Sequence, residues 1–208
     1  YIGYENGVLG GVISVLTAFA APGDAVLLHS PTYIGFTKCI TENGYKIVHS
    51  PLKKDEKGIW RMDYEDMDAK LKANNIHVAV FCSPHNPTGR VWERWEIEEA
   101  MEVYKNNECV VIADEIYSQL VYDGTEHVSI ASLPGMKERT ITLGGFSKAY
   151  SMTGWRLGYL CAPVGIIQAC VRVHQYTVTC ASSFVQEAAI TALTDCADAV
   201  SYTHLTLP

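Results

Sequence analysis

Lys148 lies in the stretch TITLGGFSKAYSMTGWRLGY, from Thr140 to Tyr159, directly after a Gly-Gly-Phe-Ser turn and eight residues before Arg156. A solvated lysine needs no such surroundings. A lysine held in a glycine-rich turn beside a second cation is a usable nucleophile and base, the chemistry of a Schiff base with an aldehyde. Ser147 beside it and Arg156 within reach offer a hydroxyl and a guanidinium suited to an anion such as phosphate.

Four other stretches carry groups of comparable use. CVVIAD delivers Asp114 from the end of an apolar run, followed by Glu115 and, three residues after the aspartate, Tyr117. A carboxylate there is costly to bury unless a cation or hydrogen-bond donor meets it, although helix capping or core satisfaction explains such an aspartate equally well. FCSPHNPTG holds Asn86 between Pro84 and Pro87, restricting the backbone on both sides; an ordinary Asn-Pro turn has the same form. HSPTYIGF places Tyr33 where a ring can stack on a flat ligand or enter the core. GYENGVLGG enters a helix through Asn6-Gly7, leaving the amides of Val8 and Leu9 free at a helix N-terminus, a ready anion site. Gly10 and Gly11 equally suit close helix packing.

Together these residues ask for one ligand. It has an aldehyde for Lys148, a phosphate for Val8, Leu9, Ser147 and Arg156, and a ring nitrogen for Asp114. It also has a ring hydroxyl for Asn86 and Tyr117, and a face for Tyr33. Pyridoxal 5'-phosphate has all five features. Lys148, Asp114 and Tyr117 are the candidate catalytic residues.

The elements that must position these groups are short β-branched runs alternating with longer helical patterns, which predicts an α/β layer fold with a largely parallel sheet. Strands are expected at AVLLHS, YKIVHS, HVAVFCS, CVVIAD, RTITLGG and RLGYLCA. Helices are expected from Gly7 to Ala21, over MDYEDMDAKLKAN and WERWEIEEAMEVYKNN, from Pro163 to about Val173, and from Ser182 to Ala192. The two charged segments carry acidic residues early and lysines late, as the helix dipole favours. In sheets of this class ligands bind beyond the carboxyl ends of the strands, which is where the polar residues above fall. No repeat or linker divides the chain.

The 208 residues, 48% of them apolar, suffice for a real core. A net charge of -7, with no basic run or aromatic-basic interleaving, argues against a nucleic-acid partner. The longest apolar stretch, Val8 to Ala21, is broken by Gly10, Gly11, Ser14 and Thr17 and falls short of a membrane span. Seven scattered cysteines without CxxC spacing suit a reduced, cytoplasmic setting, and the lone Cys82-to-His85 spacing is read as no metal site. The opening YIGYENG carries no leader signal and looks like the middle of a protein.

SPHNPTG, ADEIYSQLVYDG and FSKAYSMTGWRLGY resemble, in this order, the three most diagnostic motifs of the fold-type I pyridoxal-phosphate enzymes, the class I/II aminotransferase family. The resemblance runs from Tyr1 to about Val200. It implies a three-layer sandwich around a mostly parallel mixed sheet, with residues 1–200 forming a large cofactor domain truncated at both ends and residues 201–208 an atypical tail. It further implies that Lys148 forms the Schiff base, Asp114 pairs with the pyridinium nitrogen, and Tyr117 and Asn86 bond the ring oxygen. Tyr33 would stack on the ring, and Arg156, Ser147 and the amides of Val8 and Leu9 would hold the phosphate. Gly145 stands where many relatives carry a serine, so that phosphate contact is either missing or supplied by Ser147. The implied activity is amino transfer between an amino acid and a 2-oxo acid, in a homodimer. The stretches YENGVLGGVISVL and HSPTYIGF resemble instead the cystathionine β-lyase-like carbon-sulfur lyases, the alternative reading. The fold also occurs in cofactor-sensing transcriptional regulators, a third reading that ranks last.

Overall fold

A run such as Val78–Cys82, buried at every position, cannot present one face to water, so it must be covered on both sides. The computed structural model, which describes residues 1–122 and 124–196, shows how. The chain begins with β1 (Ile2–Glu5), α1 (Val8–Phe19), β2 (Ala25–Ser30), α2 (Ile34–Glu42) and β3 (Lys46–Pro51). A small hairpin of β4 (Lys53–Lys54) and β5 (Trp60–Arg61) follows, then α3 (Tyr64–Ala73), β6 (Val78–Cys82), α4 (Arg94–Asn106) and β7 (Val110–Asp114). The last part comprises β8 (Thr140–Gly145), the one-turn α5 (Phe146–Ala149), β9 (Gly158–Cys161), α6 (Val164–Thr177) and α7 (Ser183–Asp195).

Seven strands form one sheet in the order β1-β9-β8-β7-β6-β2-β3. The strands from β8 to β3 run parallel, while β9 pairs antiparallel with β8 and β1 antiparallel with β9. Because successive side chains on a strand point to opposite faces, each buried strand feeds two cores. Leu27, Ala79, Phe81, Val111 and Ala113 pack with Met67, Leu71, Ile97 and Tyr104 of α3 and α4. Val26, Leu28, Val80, Ile112 and Leu143 pack with Val12, Leu16, Phe36, Ile40 and Ile167 of α1, α2 and α6. This is the expected three-layer sandwich with a mostly parallel mixed sheet. A third cluster joins Val185, Ala189 and Ala192 of α7 to Phe146, Met152 and Leu157.

All six expected strands are present, and each expected helix is found within a few residues of its expected ends. The structure adds β1, the β4–β5 hairpin and α2. It also corrects the setting of Lys148, which sits on the one-turn helix α5 rather than in an irregular turn. Gly11 does serve close packing, since a Cβ there would stand 2.8 Å from a Leu143 methyl. The domain end expected at residue 200 and the tail expected over 201–208 lie outside the described residues.

Candidate active site

The parallel strands deliver their polar residues to one edge of the sheet. Asp114 ends β7 and lies in register with Cys82, which ends β6; Leu143 of β8 pairs with Asp114 on the other side. Beyond β6 the chain turns through Ser83-Pro84-His85-Asn86, and beyond β8 it enters α5 with Ser147 and Lys148. Beyond β2 it reaches Tyr33, which caps α2. One cavity is lined by Val8, Leu9, Tyr33, Asn86, Asp114, Tyr117, Ser147, Lys148 and Arg156, so all nine candidate residues meet there. Phe36, Cys82, Ile116 and Thr153 complete its wall.

Asp114 is 5% exposed. Among the described residues its side chain accepts one hydrogen bond, from the amide of Ile116 at 3.0 Å. Burial pushes its carboxyl from 3.8 up to about 7, against the pull of that amide and of the Lys148 charge, with Glu115 adding to the rise. Glu115 differs in kind. Its carboxylate accepts from the Ser129 hydroxyl and the Ile130 amide, both at 3.0 Å, and faces His127 Nε2 at 3.1 Å. It anchors the loop after β7 and leaves Asp114 as the unmatched carboxylate of the site.

Asn86 Nδ2 donates to the Tyr117 hydroxyl at 3.5 Å. Burial first, then the Asp114 charge, raises the Tyr117 phenol above its usual range, so it keeps its proton. Lys148 Nζ stands 5.7 Å from the centre of the Tyr117 ring. His85, beside Asn86, is pinned by the Thr88 hydroxyl at 2.7 Å and lies against Trp92. Burial lowers it to about 4, which leaves a neutral ring that positions the loop.

The opposite end of the cavity is built by glycines and Arg156. Gly7 caps α1 with φ 81, a left-handed conformation that favours glycine, and α1 begins with no side-chain cap, so the amides of Val8 and Leu9 are free to meet an anion. A Cβ on Gly7 would strike the Arg156 guanidinium. Arg156 Nη1 donates to the Thr153 carbonyl at 2.9 Å, and Nη2 donates to the Asn6 carbonyl at 3.3 Å. Arg156 is exposed. Tyr33 packs edge-on against Phe36, its ring centre 5.6 Å away, leaving it 39% exposed.

Gly145 has a geometric reason for lacking a side chain: a Cβ would stand 3.1 Å from the backbone of Leu157 and Gly158. Thr153 escaped the sequence reading. Its hydroxyl donates to the Ser147 carbonyl at 2.9 Å, tying the residue beside Lys148 to the turn that carries Arg156. Its place between the two cations in one motif was the available signal.

Residues 4–205 match the family described as aminotransferase class I and II. The chain is similar to an aspartate aminotransferase of Pyrococcus abyssi, 38% identical over 180 residues that cover 86% of this chain and 46% of the relative. It superposes on the crystal structure of an aromatic aminotransferase from Pyrococcus horikoshii with a TM-score of 0.88 and 35% identity, covering 98% of this chain and 54% of the other. A pyridoxal-phosphate-bound C-S lyase from Staphylococcus hominis shares the fold, with a TM-score of 0.88, 24% identity, and coverage of 98% and 51%. The chain thus spans about half the length of the relatives it matches.

Proposed function

We propose, since this chain belongs to the class I and II aminotransferase family, that it is part of a pyridoxal-5'-phosphate-dependent enzyme that moves an amino group between an amino acid and a 2-oxo acid. The observation that carries this reading is Asp114: a buried carboxylate with one backbone donor, in a cavity that holds a lysine amine and ends in an anion cradle. The residues present fit the cofactor. A protonated ring nitrogen supplies the cation that Asp114 lacks, and a phosphate suits the amides of Val8 and Leu9 with the Arg156 guanidinium.

Bound there, pyridoxal phosphate supplies a carbonyl carbon that joins to amines and a conjugated ring that takes up the electron pair left when a substrate Cα–H bond breaks. The chain's own residues do the rest. Arg156, the Ser147 hydroxyl and the amides of Val8 and Leu9 would hold the phosphate. Tyr33 would supply a surface for the ring. Tyr117 keeps its proton and donates it, with Asn86, toward the ring oxygen. Asp114 would accept from the ring nitrogen and hold positive charge there. Lys148 Nζ takes the proton from the substrate Cα and gives it back, acting as the general base and acid.

The same residues would serve amino transfer or, on a substrate that carries sulfur at Cβ, elimination. The N-terminal likeness to the carbon-sulfur lyases keeps the second outcome in the test. Free cysteines throughout fit a reducing, cytoplasmic setting. Exposed Tyr176, Phe184 and Leu193 suit burial against a second copy in a homodimer.

The test loads the chain with pyridoxal phosphate, adds L-aspartate or L-tyrosine, and analyses the products chromatographically. Pyridoxamine phosphate with the matching 2-oxo acid is expected, and neither should form with Lys148→Ala. Pyruvate and a thiol released from cystathionine, with no pyridoxamine phosphate from any amino acid, would assign the chain to the lyase branch instead.

A further inference from the structure

A buried polar cluster that the cavity does not use lies next to the turn into α1. Glu5, the last residue of β1, is 2% exposed; Ser14 of α1 and His174 of α6 are 3% and 4% exposed. The Ser14 hydroxyl donates to Glu5 Oε2 at 3.2 Å, and His174 Nδ1 meets the same oxygen at 2.9 Å. One carboxylate oxygen therefore joins a strand and two helices, linking residues 169 positions apart. Apolar side chains of similar volume would pack such a junction without the cost of burying ionisable groups. What the polar set adds is direction, because hydrogen bonds fix orientation where apolar contacts slide.

The direction it fixes bears on the anion cradle. Glu5 stands two residues before Gly7, the cap of α1. Its side chain lies under the first turn of that helix: a Cβ on Gly10 would be 3.7 Å from Glu5 Oε2, and one on Gly11 would be 3.5 Å from Glu5 Cγ. From the cavity, Arg156 donates to the carbonyl of Asn6, the residue between Glu5 and Gly7. The short turn is thus gripped on one side by the cavity's cation and anchored on the other by the buried carboxylate.

We propose that Glu5, held by Ser14 and His174, is a positioning residue that sets the depth and rotation of the α1 N-terminus, so that the amides of Val8 and Leu9 reach the phosphate of the ligand. The proposal rests on the cofactor reading above. Hydrogen bonds weaken steeply outside a narrow range of distance and angle, so a small rotation of the first turn weakens the grip on phosphate while leaving the ring pocket intact.

The test compares pyridoxal phosphate with pyridoxal, which has the same ring and aldehyde but no phosphate, by absorbance titration of the wild-type chain, Glu5→Leu, Glu5→Gln and Ser14→Ala. Thermal melts check that each variant folds. Glu5→Leu is expected to weaken pyridoxal phosphate by about tenfold or more, the scale of a misplaced contact, with pyridoxal unchanged within about twofold. Glu5→Gln, which keeps an acceptor for Ser14, should recover most of the loss. Ser14→Ala should shift the same ligand in the same direction, and it carries the test should Glu5→Leu not fold. Equal losses for both ligands, or none, would overturn the proposal. A wild-type chain that binds both ligands equally would remove the cradle itself, and the cofactor reading would fail before any variant is compared.

Discussion

Asp114 links the chemistry of the site to the stability of the chain. An unfolded aspartate loses its proton near 3.8, whereas burial holds the folded Asp114 to about 7. The folded state therefore binds the extra proton, and the stabilisation it brings is complete below about pH 4 and lost as pH rises to about 7, up to about 4 kcal/mol. Thermal melts of the ligand-free chain between pH 5 and pH 7.5 should show stability falling with pH, and Asp114→Asn should flatten that fall. Parallel profiles would contradict the burial of an unmatched carboxylate. Pyridoxal phosphate, by placing a cation beside the carboxylate, should flatten the wild-type profile too. Gly7→Ala combines a strained φ with a collision against Arg156, so it is expected to cost roughly 1–3 kcal/mol and to weaken phosphate binding. A melt and a pyridoxal phosphate titration on the same sample check both effects. At this scale the sequence was informative because each candidate group follows an apolar run or a glycine within one short motif. The partners were not legible. Arg156 meets Asn6 from 150 positions away, and nothing local in either stretch announces it.

Among the elements, α4 secures the loop that carries Asn86. Glu93 and Glu96 form a capping box at its start, and Glu96, fully buried, pairs with Arg90 and accepts from Arg61 at 2.8 Å. Arg90 belongs to the same loop as Asn86, and its carbonyl accepts from the His85 amide at 2.7 Å. Glu96→Ala leaves two guanidinium groups without their buried partner and should cost about 3–5 kcal/mol, read as a lower urea midpoint. A loss below about 1 kcal/mol would place the pair among ordinary surface contacts. The parallel strands were readable as continuous apolar runs, and the amphipathic helices by their charge placement. β1 was missed because IGYE is four residues long and alternates at a sheet edge. In α2 only Phe36 and Ile40 are buried, too few to give the period, and a glycine stands in the first turn. The strands β4 and β5 are two residues each, below any pattern.

For the whole molecule, the three layers place five carboxyl-terminal strand ends along one edge, and that edge is where the cavity forms. The layer count was implied by the family resemblance, while the parallel sheet followed from alternating runs alone. The chain spans about half the length of the relatives it matches. What the chain holds is a cavity in which all nine candidate residues meet, and the proposed function turns on Lys148 as the residue to which the cofactor attaches. Borohydride reduction of the chain with pyridoxal phosphate, followed by peptide mass mapping, tests this directly. A pyridoxyl group on Lys148 is expected at stoichiometric cofactor, with no comparable labelling of any other lysine in Lys148→Ala. Labelling spread over surface lysines, unchanged by that substitution, would contradict it.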